Sequence, residues 1–200
     1  MFTGIVQELG TILSLEDKES GLGIRVSTTK SFLEGLKKGA SIAVNGCCLT
    51  VTQFSESEVF FDIIQQTLRV TNLKNLALEE KVNLERSLKF GDEVGGHILS
   101  GHISCTAIAE LIKSGGESEL KLQCPEEWNK YILEKGYVAI NGASLTVAKI
   151  DDKSFSVYLI PETLQATNLS MIKKGDKLNI EIDQNTISTF HALESKLAET

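Results

Sequence analysis

A chain of 200 residues suffices for one large domain or two small ones, and its 42% hydrophobic content is enough to build a buried core. The net charge of −7 argues against nucleic acid as the main partner, because phosphate binding needs a concentrated basic face. No apolar run approaches the roughly 18 residues of a membrane span, and neither the basic nor the apolar region of a signal peptide is present, so a cytoplasmic protein with no membrane partner is expected.

In chain order, the opening Met1-Phe2-Thr3-Gly4-Ile5-Val6 leads into a region that reads mainly as strand. A short helical turn fits residues 31–38, and Lys37-Lys38 beside Gly39 read as a solvated turn. Asn45-Gly46 is a strong turn signal between apolar runs. Val59-Phe60-Phe61-Asp62-Ile63-Ile64 is a β-rich run of strand length, followed by helical turns over residues 67–76. Beyond Gly95-Gly96-His97 the same series returns: a helical turn over 126–135, an Asn141-Gly142 turn, a strand from Phe155 to Ile160 and helical turns over 163–172. From Ile187 to Leu197 the apolar spacing is helical, with Ser188 as the cap. That last helix has no counterpart after the first half. Its apolar stripe packs either on its own barrels or on copies of itself, and the pattern leaves both open.

The recurrence is an internal repeat. Asn45-Gly46-Cys47-Cys48-Leu49-Thr50-Val51 matches Asn141-Gly142-Ala143-Ser144-Leu145-Thr146-Val147 at an offset of 96 residues. Thr67-Leu68, Thr71-Asn72-Leu73, Asn83 and Glu85 recur at that offset, and Leu36 and Gly39 match Leu133 and Gly136 with one residue of slippage. The chain therefore reads as a duplicated, all-β protein, each half a small closed barrel or sandwich.

Successive strand residues point to opposite faces. Cys47, Leu49 and Val51 belong to a barrel interior, while Cys48, Thr50 and Thr52 face outward; Ala143, Leu145 and Val147 oppose Ser144, Thr146 and Ala148. Each half thus carries a shallow, uncharged patch of hydroxyl and thiol groups that suits a neutral polyol or heterocycle better than phosphate or metal. A second barrel closing over such a patch would supply its missing wall. The bland alternative is that these side chains are merely solvated. Cys47, Cys48, Cys105 and Cys124 form no CxxC pair, and His97 and His102 lack a nearby third ligand, so neither a disulfide nor a metal site is expected. A histidine beside such a patch suits acid–base work or is structural.

Five motifs in order now resemble riboflavin synthase: residues 1–6; Asn45 to Val51; Gly95-Gly96-His97 with Ser100-Gly101-His102; Gly142-Ala143-Ser144-Leu145-Thr146-Val147; and Ile160-Pro161-Glu162-Thr163-Leu164. The resemblance covers nearly the whole chain. It implies two six-stranded Greek-key β-barrels, residues 1–96 and 97–186, and a helix over 187–200 that assembles a homotrimer. It implies an active site between the N-terminal barrel of one subunit and the C-terminal barrel of another. The implied reaction, the last step of riboflavin biosynthesis, is a transferase dismutation. One 6,7-dimethyl-8-ribityllumazine donates a four-carbon unit to a second, giving riboflavin and 5-amino-6-ribitylaminouracil without cofactor or metal. Association with lumazine synthase is a further partner to be considered.

Carried over by residue, the resemblance places Gly4, Ile5, Val6, Cys48, Leu49, Thr50, Asp62, Ile63, Ile64, Gln65, Gln66, Thr67, Gly101, His102 and Ile103 in an N-terminal substrate site. It places Lys135, Ser144, Leu145, Thr146, Leu159, Ile160, Pro161, Glu162 and Thr163 in a C-terminal one. Backbone near Ile5 and Ile103 would read the pyrimidine edge. His102 would exchange protons with Thr146 across the interface. Cys48 or Ser144, or a water that either holds, would add to the partner ring, and Lys135 would position substrate. Where many family members have Asp before the second motif this chain has Asn141, which puts any role of that carboxylate in doubt; Gln66 stands where some have Glu. The rivals are a ligand carrier of the same fold and a flavin-binding half of an oxidoreductase. The second lacks a G-x-G-x-x-G loop here.

Overall fold

The computed structural model describes residues 1–198. In the first half, β1 (Glu8–Lys18), β2 (Gly21–Ser27), β3 (Ser41–Val44), β4 (Cys47–Phe54), β5 (Glu58–Ile64) and β6 (Lys81–Arg86) close into a barrel. Their order is β1-β2-β5-β4-β3-β6, all neighbours antiparallel, with α1 (Lys30–Leu33) and α2 (Gln65–Val70) in the connections. The second half repeats the plan with β7 (Cys105–Ser114), β8 (Glu117–Gln123), α3 (Glu126–Asn129), β9 (Tyr137–Ile140), β10 (Ala143–Thr146), β11 (Lys149–Asp151), β12 (Ser154–Tyr158), α4 (Pro161–Ala166) and β13 (Lys177–Ile182). The six-strand plan holds with one local difference. The counterpart of β4 is split into β10 and β11 around Val147-Ala148, so the sheet runs β10-β9-β13-β7-β8-β12-β11 and its two end strands are consecutive in the chain.

Both Asn-Gly turns are the two-residue hairpins the sequence promises. Asn45 and Gly46 have φ of +46° and +78°, and Asn141 and Gly142 have +45° and +83°, the left-handed pair that a twisted hairpin requires. Alternation then buries one face of each strand. Ile42, Leu49, Val51 and Phe61 fill the first barrel, and Val138, Ile140, Val147 and Val157 fill the second.

The slippage in the repeat lies elsewhere than between Leu36 and Gly39. The Gly39 amide donates to Val51 O at 2.9 Å, and its counterpart is Lys135, which donates to Val147 O at 2.9 Å and shares the positive φ. The offset there stays at 96. The extra residue is Leu13, bulged between Ile12 and Ser14 where β1 slips against β2. Before that bulge the halves correspond at an offset of 97, so that Phe2, Thr3 and Gly4 match Leu99, Ser100 and Gly101. A bulge accommodates one unpaired residue without disturbing either flank of a strand.

The last helix, α5 (Gln184–Ala198), begins before Ser188, because the Asp183 carboxylate takes the cap and accepts the Thr186 amide at 3.0 Å. Ile187 and Phe190 pack on the second barrel, Tyr131 meets His191 at 3.0 Å, and Leu193 remains exposed. The helix thus docks on its own chain and still presents part of its stripe outward. No helix among the described residues is long and apolar enough to cross a membrane.

Candidate active site

The two barrels meet about a pseudo-twofold axis marked by Phe2 and Leu99, whose backbones exchange hydrogen bonds of 2.9 and 3.0 Å. Beside them the hairpin asparagines cross over. Asn83 Nδ2 donates to Asn141 O at 2.8 Å, and Asn179 Nδ2 donates to Asn45 O at 2.9 Å. Asn72 and Asn168 reach across to complete the network, with the Asn72 amide on Asn179 Oδ1 and the Asn168 amide on Asn83 Oδ1. Asn141 is buried within it. Its Oδ1 accepts from the Asn179 amide at 2.9 Å and its Nδ2 donates to Asn168 Oδ1 at 3.3 Å. Its position serves the seam between barrels. A cleft of about 540 Å³ follows this seam past Asn72, Lys81, Asn141 and Lys177; there Asn72 Nδ2 donates to Asn141 Oδ1 and to Lys177 O, both at 3.1 Å, while Asn72 Oδ1 is buried without a partner.

The patch on the first barrel is laid out as the alternation requires. Cys47, Leu49 and Val51 are buried, Cys48 is half-buried and Thr50 is exposed. Asp62 and Ile64 stand exposed on the neighbouring β5, with Thr67, Gln65 and Gln66 at the start of α2. Asp62 Oδ1 accepts from Lys18 Nζ at 2.6 Å, so its carboxylate enters the patch already paired. On the second barrel Ser144 is half-buried and Thr146 exposed, with Ile160 and Thr163 at the start of α4 and Lys135 exposed at the strand turn. Tyr158 takes the place that Asp62 has in the first half, so the two patches differ in charge.

Four of the expected contact residues turn their side chains inward. Leu49, Ile63 and Leu159 are buried in the barrel cores and Leu145 packs against the second core, because each lies one residue off the outward register. Their side chains support the patches from behind. Pro161 and Glu162 are exposed beside Ile160.

A larger correction concerns the segments that precede β1 and β7, which are exchanged. The Ser144 amide donates to Gly4 O at 2.8 Å, and Val6 packs on the second core. The Cys48 amide donates to Gly101 O at 2.9 Å, and Ile103 packs on the first core. Gly4, Ile5 and Val6 therefore border the C-terminal patch, while Gly101, His102 and Ile103 border the N-terminal one. Both glycines are needed: φ is +75° at Gly4 and +81° at Gly101, and a Cβ on either would come within 2.5 Å of Ser144 Cβ or Cys48 Cβ. His102 is exposed, its amide held by Ser100 Oγ at 3.1 Å.

Three residues that the sequence did not assign join these sites. His97 Nδ1 lies 2.7 Å from Ser144 Oγ, its ring stacks on Tyr137 with centroids 5.2 Å apart, and burial lowers its pKa, an effect opposed by the charge of Asp183. Glu85 accepts from the Thr3 amide at 2.6 Å, Thr3 Oγ1 at 2.8 Å and the Gly4 amide at 3.2 Å. Glu181 accepts from the Ser100 amide and Oγ, both at 2.7 Å, and from the Gly101 amide at 3.0 Å. Burial raises both carboxyl pKa values, and these hydrogen bonds oppose it. The repeat of Glu85 at Glu181 was the visible signal for the pair; nothing in the sequence marks His97 for Ser144.

The four cysteines are thiols. Burial is the main force that pushes the Cys47 thiol up to about 12, which leaves it inert. Cys105 is raised by its hydrogen bond to Cys124, Sγ to Sγ 4.0 Å, in the second core. Among the described residues no cluster of His, Cys, Asp or Glu is placed to hold a metal ion.

Two related barrels, each with an outward polar patch bordered by an exchanged segment, define a tandem of small-ligand binding domains. The lumazine binding domain model matches residues 3–87 and again 100–183. The chain belongs to the riboflavin synthase family. It is 46% identical over 186 residues to the riboflavin synthase of Chlamydia pneumoniae, covering 93% of this chain and 92% of that one. It is 44% identical over 200 residues to that of Escherichia coli (strain K12), covering 99% and 94%. Among solved structures, LumP complexed with riboflavin superposes with a TM-score of 0.84 at 32% identity, covering 91% of this chain and 99% of that one. LumP complexed with 6,7-dimethyl-8-(1'-D-ribityl) lumazine gives 0.83 at 30%, covering 92% and 100%.

Proposed function

We propose that this chain catalyses the riboflavin synthase reaction, taking two molecules of 6,7-dimethyl-8-ribityllumazine to riboflavin and 5-amino-6-ribitylaminouracil. The observation that carries the reading is the pair of related patches, Cys48–Thr50 and Ser144–Thr146, on a chain 44–46% identical to riboflavin synthases. LumP, the structural neighbour solved with these ligands, is 30–32% identical. Two similar sites suit a reaction in which one molecule is both donor and acceptor. The atoms of two lumazines equal those of the two products, so the exchange needs neither oxidant nor reductant.

The acidity resides in the substrate: loss of a proton from the 7-methyl group leaves a carbanion delocalised over the ring system. The protein's task is to hold two rings in register and to move protons, which is proximity and orientation joined to acid–base work. Backbone of the exchanged segments, near Ile5 on one patch and Ile103 on the other, reads the pyrimidine edges. The hydroxyls of Thr50, Thr67, Thr146 and Thr163 take the ribityl chains. His102 exchanges protons with Thr146 of a neighbouring subunit. Cys48 or Ser144, or a water that either holds, adds to the partner ring, and Lys135 positions substrate.

The assembly belongs to the same proposal. The active unit is a cytoplasmic homotrimer, held by α5, with each active site formed by the N-terminal barrel of one subunit and the C-terminal barrel of the next. Lumazine synthase is the candidate partner. Purified protein incubated with 6,7-dimethyl-8-ribityllumazine alone should form riboflavin and the uracil product in equal amounts. Tight binding with no riboflavin above the uncatalysed background would make the chain a carrier.

A further inference from the structure

We propose that Glu85 and Glu181 are positioning residues that act crosswise, each carboxylate holding the segment that completes the ligand patch on the opposite barrel. The inference rests on the reading of those patches as lumazine sites. Glu181 stands on β13 of the second barrel, yet its three donors lie in Ser100 and Gly101, and Gly101 O receives the amide of Cys48 on the first. Glu85 stands on β6 of the first barrel and holds Thr3 and Gly4, and Gly4 O receives the amide of Ser144 on the second.

Burial of a carboxylate is costly unless several donors meet it, and an apolar side chain would serve the core better. Here three donors from two successive residues converge on each carboxylate. Charge-assisted bonds of this kind fix the direction of the backbone as well as its place. The glycine that follows has no room for a Cβ, so the segment lies flat against the strand that carries Cys48 or Ser144. The next residues, His102 and Ile103 on one side and Ile5 and Val6 on the other, are then aimed along the patch edge.

The consequence is reciprocal. Glu181 governs the N-terminal patch from the C-terminal barrel, and Glu85 governs the C-terminal patch from the N-terminal barrel. A residue needed only for folding would affect both patches alike, whereas these two should affect one each.

Cys48 provides the probe, since it alone of the four thiols is half-exposed. Its alkylation by iodoacetamide, followed against riboflavin concentration, reports occupancy of the N-terminal patch. The double variant Cys48→Ala, Ser144→Cys reports the C-terminal patch in the same way. In Glu181→Gln the riboflavin concentration that protects position 48 should rise by about tenfold, with protection at position 144 unchanged. In Glu85→Gln the effects should reverse. Equal loss at both positions, loss at the wrong one, or no loss overturns the inference. If a Gln variant does not fold, Ser100→Ala and Thr3→Ala should show the same crossed pattern at about threefold. Protection in the parent protein without a crossed pattern overturns this inference alone. Failure of riboflavin to protect either position in the parent protein overturns the lumazine-site reading as well.

Discussion

His97 and Ser144 form a 2.7 Å hydrogen bond between Nδ1 and Oγ, joining the connection between the barrels to the centre of the C-terminal patch. His97 Nε2 is buried without a partner. A buried bare nitrogen is tolerated better than a buried N–H with no acceptor, so the proton belongs on Nδ1 and is donated to Ser144. The Ser144 hydrogen is then left free for a ligand or a water. Burial lowers the imidazole pKa below its usual 6.5, so the ring is neutral at pH 7. His97→Ala should weaken ligand binding at this patch by about three- to tenfold, the value of one hydrogen bond. His97→Asn, whose Nδ2 donates from a similar position, should retain most of it. Ligand titration compared with turnover tests this; equal losses in both variants would refute the tautomer.

Asn141 makes a second prediction. In Asn141→Asp the atom facing Asn168 Oδ1 changes from donor to acceptor, and the bond at 3.3 Å is replaced by repulsion. A stability loss of about 1–3 kcal/mol should follow at neutral pH. It should diminish on acidification, because the protonated carboxyl regains a hydrogen to donate. Denaturant midpoints across pH measure the loss, and turnover by the folded variant should be unchanged.

The buried carboxylates give a third. The folded-state pKa of Glu85 and Glu181 is raised above the ordinary 4.5. A raised pKa means that the folded protein holds the proton more tightly than the unfolded chain. Its stabilising effect is complete below pH 4.5 and is lost as the pH climbs through the raised value. Relative to Glu85→Gln or Glu181→Gln, which have no such proton, the parent should therefore lose stability as pH rises from 4.5 towards neutrality. Melting temperatures of parent and variants across that range provide the test, and a constant difference would contradict it.

The fourth concerns assembly. Ile187 and Phe190 occupy the inner side of α5, while Leu193 is 56% exposed. If α5 holds the proposed trimer, Leu193→Ser should leave the helix docked on its own barrel and shift sedimentation from trimer towards smaller species. An unchanged trimer would remove α5 from the interface.

Local patterns were legible where one residue type has one structural meaning. Asn45-Gly46 and Asn141-Gly142 could be read as hairpins because few other pairs accept two positive φ values, and alternation alone separated Cys47 from Cys48. Alternation also placed Leu49 and Leu145 inside, and their inclusion among contact residues followed the family resemblance. What periodicity cannot convey is which barrel a segment docks on. Gly4–Ile5–Val6 lie next to the first barrel in sequence and against the second in space. The pairing of His97 with Ser144 is likewise long-range, and the Leu13 bulge shows only as a change of offset.

Gly46 and Gly142 meet back to back: a Cβ on Gly46 would sit 2.7 Å from Gly142 N, and one on Gly142 would sit 2.8 Å from Gly46 N. Two copies of a duplicated segment can drift apart wherever each touches only its own surroundings, as Asp62 and Tyr158 have done. At this point each copy touches its own double. A substitution in either is felt by both, so no later history of the chain can repair one turn without reshaping the other. Like the Phe2–Leu99 bridge, the contact holds the two halves to their common origin where their shapes must still fit each other.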